Sequence, residues 1–195
     1  MTLPPVVIIP DLREGAGAWR RVANLVQHFA SDVVAIELTG ATLAADAERV
    51  AATLAASSEP PVILAHGYGA LVATVAATRS NASQLIFVAG AMLDYGETMY
   101  EVTGGPATPL STSRVESVGW RAVPTTYVIC SGDRRIAAAV QQQFALARAA
   151  TFVELDAGEA PARTHAEALA QIVHEDLVAV RGGQLHAALA LVKSA

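Results

Sequence analysis

Short, uninterrupted apolar runs alternate along this chain with longer segments in which apolar residues recur every three or four positions. An uninterrupted apolar run of about four to eight residues is typical of a strand buried on both faces, whereas the longer spacing is typical of an amphipathic helix. The runs predict strands at residues 5–9, 33–38, 62–65, 84–89, 125–130 and 151–155. Helices are predicted over residues 19–30, 42–57, 68–78, 136–148 and 165–180.

The alternation of strands and helices predicts a parallel sheet with helices on both faces, which is a three-layer α/β/α architecture. On the helix at 42–57, the spacing places Asp46, Glu48 and Arg49 on the face that meets solvent. Two segments interrupt the alternation: an irregular, Gly- and Ser/Thr-containing excursion at 90–121, and a short apolar helix predicted within the C-terminal tail. We therefore expect one domain over residues 1–180, followed by a helical extension over residues 181–195.

The segment at 61–72 combines a buried strand, a tight turn and the start of a helix, and the rest of the pattern is arranged around it. Its turn reads Ala65-His66-Gly67-Tyr68-Gly69. A strand that runs through a tight turn into a helix is the context of the nucleophile elbow, G-x-S-x-G. The context is present, but glycine stands where the elbow has its serine.

Composition narrows the functional classes further. At 195 residues, 53% apolar and 16% charged, the chain is long and apolar enough to bury a core, and disorder is excluded as its main state. No apolar run reaches the roughly 18 residues that span a bilayer, and the first residues lack a basic signal-peptide region. The net charge of −5 without a basic block argues against nucleic-acid binding. With Cys130 as the only cysteine, we expect a reducing, cytoplasmic location.

Five stretches resemble the small α/β-hydrolases of the hydroxynitrile lyase and plant methylesterase type. They are residues 6–22 (VVIIPDLREGAGAWRRV), 63–73 (ILAHGYGALVA), 85–98 (LIFVAGAMLDYGET), 123–145 and 150–161 (ATFVELDAGEAP). They follow one another in the family's order, and the resemblance extends across nearly all of residues 5–180. The resemblance implies an α/β-hydrolase-like fold whose six parallel strands lie in the order 2-1-3-4-5-6, with the turn after the third strand at the centre.

The family's catalytic positions are changed in this chain. The nucleophile position matches Gly67, which has no side chain for covalent catalysis. The position of the triad acid matches Asp133, which can equally be an ordinary turn or N-cap residue. The position of the triad histidine matches Glu159, either a solvent-facing loop residue or, if burial raised its pKa, a general base. The chain is therefore not expected to be a conventional serine hydrolase.

The family's oxyanion loop and lid are also altered. The loop's His-Gly is replaced by Pro10-Asp11; proline lacks an N–H, and a carboxylate opposes a developing negative charge. The excursion at 90–121 is too short for the family's helical cap, so we expect a capless domain. Residues expected to line whatever pocket remains are Asp11, Leu12, His66, Gly67 and Tyr68.

These changes favour a pseudoenzyme that binds a small hydrophobic molecule or a partner protein. The alternative is a non-hydrolytic cyclase, dehydratase or lyase of a biosynthetic pathway that uses Asp133 or Glu159 as acid or base. A residual esterase is the least favoured hypothesis, because its nearest hydroxyl candidates, Ser131 and Ser111, are not on an elbow. No cofactor or metal is expected, since the histidines share no ligand spacing. Leu185, Leu189 and Leu191 are expected either to pack on the domain or to form a homodimer contact.

Overall fold

The computed structural model describes residues 3–149 and 151–183. The strands are β1 (Val6–Ile9), β2 (Val33–Ala35), β3 (Val62–His66), β4 (Gln84–Val88), β5 (Thr125–Cys130) and β6 (Thr151–Leu155). The helices are α1 (Gly15–Ala18), α2 (Arg20–Val26), α3 (Leu43–Ala55), α4 (Tyr68–Ala76), α5 (Met99–Thr103), α6 (Ala138–Arg148), α7 (Pro161–Thr164) and α8 (Ala166–Gly182). Two short 3-10 helices lie at Ala77–Arg79, after α4, and at Gly119–Arg121, before β5.

The six strands form one parallel sheet in the order β2-β1-β3-β4-β5-β6, which confirms the predicted architecture and strand order. Residues of β1, β3 and β4 are buried along their whole length. Central strands need apolar side chains on both faces, because helices cover both. Alternate residues of β1 therefore serve different cores: Val7 and Ile9 face one, and Val6 and Ile8 face the other.

Each face of the sheet has its own helical layer. One core contains apolar residues of α3, α4 and α6, and the other contains those of α2 and α8. The turn between β3 and α4 directly follows the end of β3, so it lies at the carboxyl edge of the sheet. Open α/β sheets bind ligands at this edge.

One predicted boundary differs in the second strand. It ends at Ala35 and not at Leu38, although the Ile36 N–H still donates to the carbonyl of Ile8 (2.9 Å) and Leu38 is still buried.

The prediction that Asp46 faces solvent is wrong, because its side chain is fully buried. Helical spacing alone placed it on the polar face, but the loop that precedes α3 folds over this part of the helix and supplies hydrogen-bond donors.

The excursion at 90–121 is held against the domain along its length. It contains α5, and its Met92, Leu93 and Val115 are buried. The Trp120 indole N–H donates to the carbonyl of Leu93 (2.8 Å), and Arg148 of α6 forms two hydrogen bonds with Glu97 (2.8 and 2.9 Å). The Arg148 guanidinium lowers the pKa of the Glu97 carboxyl below its ordinary value. These contacts anchor the segment to the domain near Leu93, Glu97 and Trp120.

The predicted short helix at residues 185–192 lies outside the described residues. Within the described part of the chain, no helix is long and apolar enough to cross a membrane.

Candidate functional site

The turn between β3 and α4 has the backbone of an elbow. Gly67 lies at φ 56° and ψ −122°, in the left-handed half of φ space that disfavours any residue with a Cβ. Two residues later, a Cβ on Gly69 would lie 2.1 Å from the carbonyl oxygen of Ile9. Glycine at 69 thus allows α4 to pack directly on β1, and glycine at 67 allows the sharp reversal.

The carboxylate of Asp11 fills the space in front of this turn. A Cβ placed on Gly67 would lie 2.4 Å from Asp11 Oδ2, which is closer than such atoms approach in proteins. The same oxygen accepts the Tyr68 backbone N–H at 3.0 Å, the first N–H of α4. An anion at a helix N-terminus is stabilised by the free N–H groups and the helix dipole. Asp11 therefore acts as an internal ligand of the elbow.

Arg135 links this carboxylate to a second one. Its guanidinium lies 3.3 Å from Asp11 Oδ1 through one terminal nitrogen and 3.0 Å from Glu159 Oε2 through Nε. Asp11 Oδ1 also accepts the Arg13 backbone N–H at 3.0 Å. The exposed fractions of the side chains rise outward, from 12% for Asp11 through 29% for Arg135 to 40% for Glu159. The chain of charges thus runs from the buried turn to the surface.

Asp133 lies beside Arg135 but bonds only to backbone donors among the described contacts. Its Oδ1 accepts the N–H groups of Arg135 (2.6 Å) and Ile136 (3.1 Å), and the residue is 7% exposed. A carboxylate that accepts the backbone N–H groups two and three residues ahead stabilises a turn after a strand. The structure thus brings Asp11 and Glu159 together through one arginine, and places Asp133 in the adjoining turn.

His66 lies behind the turn and is 1% exposed. Its Nδ1 is 3.2 Å from Glu14 Oε2, close enough for an ion pair but not aligned as a hydrogen bond. The Trp19 indole N–H donates to the same Glu14 oxygen at 3.3 Å, and the Trp19 and His66 rings are 5.6 Å apart. These contacts connect the elbow to the α1–α2 junction and leave His66 buried.

Tyr68 points its side chain away from Asp11. Its hydroxyl donates to Asp46 Oδ2 at 3.1 Å, and burial together with the Asp46 carboxylate raises the pKa of Tyr68 well above its ordinary value. Asp46 also accepts the Thr39 N–H (2.9 Å), the Thr39 hydroxyl (2.8 Å) and the Gly40 N–H (3.0 Å). The sequence offered one signal for Asp46: an acidic residue in the first turn of a helix that follows a glycine-containing loop.

The remaining residues singled out from the sequence are Leu12, Ser131 and Ser111. The Leu12 side chain packs beside Gly40, where Leu110 of the 90–121 segment also approaches. The Ser131 hydroxyl lies 3.4 Å from both the Leu155 carbonyl and an Asp156 oxygen, and the Ser111 hydroxyl donates to the carbonyl of Pro106 (2.7 Å). These contacts give neither serine a histidine partner. Among residues 3–149 and 151–183, no group of three or more His, Cys, Asp or Glu is placed to hold a metal ion.

No protein-family model matches the chain, and no curated protein sequence matches it significantly. Many solved structures do. A pyrethroid hydrolase from Sphingobium faniae JZ-2 superimposes with a TM-score of 0.74 and 15% identity, over 92% of this chain and 98% of that one. Polyneuridine aldehyde esterase superimposes with a TM-score of 0.75 and 14% identity, over 89% and 99%. The chain has the α/β-hydrolase fold.

A third match has a similar extent. An extracellular α/β-hydrolase from a Paenibacillus species superimposes with a TM-score of 0.72 and 13% identity, over 88% of this chain and 98% of that one. At such identities a structural match shows the fold alone, because one fold hosts many activities. The function of this α/β-hydrolase-fold chain must therefore be argued from the elbow and its surroundings.

Proposed function

We propose that this protein is a non-hydrolytic pseudoenzyme of the α/β-hydrolase fold, which acts by binding a small hydrophobic molecule or a partner protein. The observation that carries the proposal is the Asp11 carboxylate, bonded to the Tyr68 N–H and filling the space a nucleophile's side chain would need above Gly67. An acyl-transfer site uses such an N–H to stabilise a developing oxyanion. Here the N–H already has a permanent anion as its partner.

The charges around the elbow support the same proposal. Arg135 is paired with both Asp11 and Glu159, and Asp133 is bonded to the backbone of its own turn. None of these contacts prepares a group for transferring a proton to a nucleophile. In this proposal residues 1–180 form one capless binding domain, and Asp11, Leu12 and Tyr68 belong to the rim of the closed elbow.

Removal of the internal ligand tests the proposal. The Asp11→Ala variant should leave the Tyr68 N–H and the Arg135 guanidinium facing a space the size of a carboxylate. Sodium acetate should then stabilise the variant against thermal unfolding, and sodium chloride at equal concentration should not. If acetate binds with a Kd of about 10 mM, 100 mM acetate adds about 1.4 kcal/mol by mass action.

Two further variants make this experiment decisive. The wild-type protein should not respond to acetate, and Asp11→Ala combined with Arg135→Gln should lose most of the response. Asp11→Asn keeps an acceptor without the charge and should respond weakly or not at all. Equal acetate stabilisation of wild type and Asp11→Ala would show that Asp11 does not occupy the anion position.

Labelling with a fluorophosphonate probe tests the absence of hydrolytic chemistry directly. Intact-mass spectrometry of the full chain should detect no stoichiometric adduct, since Gly67 has no hydroxyl. An adduct would revive the esterase hypothesis, and peptide mapping would show whether Ser131 or Ser111 carries it.

A carboxylate-dependent, non-hydrolytic enzyme is the second candidate. Glu159 is 40% exposed and a substrate can reach it, but this exposure and its pairing with Arg135 do not provide the burial that a general base would need. Glu159→Gln should abolish such a reaction, whereas Asp156→Asn, an exposed loop control, should not. Association into a homodimer is a separate proposal, and a clean monomer in gel filtration at high protein concentration would exclude it.

A further inference from the structure

An open groove of about 510 Å³ lies on the side of the domain, between α2 and α7. We call it the α2–α7 groove; Arg20, Arg21, Leu25 and Arg163 are among the residues that line it, and Gly17 lies at one end. Its volume is within the range of small-molecule sites. It shares none of its lining residues with the elbow described above.

Positive charge is concentrated in this groove. The chain carries 13 Lys and Arg against 18 Asp and Glu, yet three of the arginines line this one surface. Arg21 is paired with Glu167 of α8, its Nε lying 3.1 Å from Oε1. Within residues 3–149 and 151–183, no ion-pair or hydrogen-bond partner occurs for the side chains of Arg20 and Arg163, which are both exposed. Two guanidinium groups are therefore available to an anion.

The rest of the lining combines apolar residues with two polar ones, Asn24 and His28. Leu25 and Ala18, which are both partly exposed, contribute hydrocarbon to the groove, so its surface pairs hydrocarbon with guanidinium. Gly17 adds a second, independent indication of open space, because a Cβ built on it meets no atom within 4 Å. The absence of a side chain at position 17 keeps this end of the groove clear.

We propose that the α2–α7 groove binds a free small molecule that has an apolar body and a single anionic head group, a phosphate or a carboxylate. The head group bonds to Arg20 and Arg163, which present planar, multi-donor guanidinium groups suited to such oxyanions. The apolar body lies on Leu25 and Ala18, where it covers hydrocarbon otherwise in contact with water. This site is independent of the elbow and of the pseudoenzyme proposal.

Amide chemical shifts of the full chain, recorded during titration with octyl phosphate below its aggregation concentration, test the proposal. The largest saturable shifts should fall on residues that line the groove, among them Gly17, Ala18 and Asn24. Inorganic phosphate supplies only the head group, and 1-octanol supplies only the chain. Each should bind at least tenfold more weakly than octyl phosphate, because both parts of the groove contribute.

Two kinds of variant separate charge from shape. Arg20→Gln with Arg163→Gln should weaken octyl phosphate binding at least tenfold, and Arg49→Gln, an exposed arginine on α3, should leave it unchanged. Gly17→Leu should fill the open end and also weaken binding at least tenfold. Ala52→Leu, which adds a leucine at an exposed position of α3, is its matched control.

Three outcomes would overturn the proposal. Shifts that saturate away from the groove would place the ligand elsewhere. Equal binding of 1-octanol and octyl phosphate, or no effect of the arginine substitutions, would remove the role of the head group. Co-sedimentation with phosphatidylglycerol vesicles but not phosphatidylcholine vesicles, lost in the Arg20→Gln/Arg163→Gln variant, would make the groove a membrane contact and not a site for a free molecule.

Discussion

The elbow and the α2–α7 groove use arginine in opposite ways. At the elbow, Arg135 is held between the carboxylates of Asp11 and Glu159, and the Tyr68 N–H is bonded to Asp11 as well. In the groove, Arg20 and Arg163 face open space. The first region carries the elbow backbone, but the second has guanidinium donors that find no partner within the described part of the chain.

The polar contacts of the elbow stabilise the domain, whereas the exposed charges of the groove can bind a ligand. The elbow keeps the positive φ of Gly67, and internal contacts partner the Tyr68 N–H and the Asp11 carboxylate beside it. Such contacts stabilise a domain, since buried polar groups cost free energy when they have no partner. An open surface with free charge gains little stability from those charges, and it is correspondingly tolerant of changes to them.

The largest expected effect concerns the support beneath the elbow. Asp46→Ala should lower the free energy of unfolding by about 3 kcal/mol or more, because it leaves the buried Tyr68 hydroxyl and the Thr39 and Gly40 N–H groups without their acceptor. Urea denaturation measures the loss. Glu48→Ala, at an exposed position of the same helix, should change stability by less than about 0.5 kcal/mol.

Next in size is the steric conflict between positions 67 and 11. Gly67→Ser should destabilise the fold by about 2 to 4 kcal/mol, from the cost of φ 56° for a residue with a Cβ and from overlap with Asp11. Asp11→Gly in the same chain should recover part of that loss. A double-mutant cycle should give a favourable coupling of about 1 to 3 kcal/mol.

A distant carboxylate serves as the control for this cycle. Gly67→Ser with Asp156→Gly should be additive within about 0.5 kcal/mol, because Asp156 is exposed and does not approach the turn. If the cycle with Asp11 is equally additive, Asp11 does not fill the space in front of Gly67, and the elbow is as open to a ligand as the groove.

A smaller effect comes from a buried carboxylate elsewhere in the domain, which can be compared with the arginine-paired Asp11 of the elbow. Asp176 of α8 accepts a hydrogen bond from Gln84 (3.1 Å), and burial raises the pKa of its carboxyl above the ordinary value of 3.8. The ionised form is therefore disfavoured in the folded state. Stability that Asp176 contributes when protonated is present below pH about 4 and is lost as pH rises through its folded pKa.

Asp176→Asn mimics the protonated form and should stabilise the protein at pH 7. The gain should shrink as pH falls through the folded pKa and vanish below the unfolded one. Denaturation midpoints between pH 4 and 8 measure it, with Glu48→Gln as an exposed control. A constant gain across this range would mean that the carboxyl charge is not the cause.

The smallest expected effect belongs to the groove. Arg20→Gln with Arg163→Gln should change the free energy of unfolding by less than about 0.5 kcal/mol, because no folded-state partner is lost within the described residues. Arg135→Gln should cost about 1 to 2 kcal/mol, since it leaves Asp11 without its cation. A groove variant that costs as much as the elbow variant would show that Arg20 or Arg163 has a structural role.

The sheet could be predicted from the sequence because its signal is local. Each of Val6–Ile9, Val62–His66 and Thr125–Cys130 is apolar or only weakly polar throughout, as burial on both faces requires. The strand order came from the resemblance of successive segments to one family, and the structure confirms it. The turn at Gly67 was also visible, since it joins a strand signal directly to a helix signal.

The charge network at the elbow could not be predicted in the same way. Arg135 and Asp11 are 124 positions apart, and nothing in the sequence near either residue indicates its partner. Gly67 was interpreted as a missing side chain, without reference to the carboxylate that occupies its place. Asp46 was misassigned because helical periodicity describes one helix and does not include the loop that covers it.

The fit between Gly67 and Asp11 also constrains how this sequence can change. A serine introduced at position 67 while Asp11 is present meets the carboxylate at 2.4 Å, so that order of substitution passes through a destabilised protein. The opposite order, in which position 11 becomes small first, avoids the overlap. The order of substitution therefore matters: a stepwise route towards a nucleophile at this turn begins with Asp11, in the loop after β1. That residue would take no part in the reaction that its replacement permits.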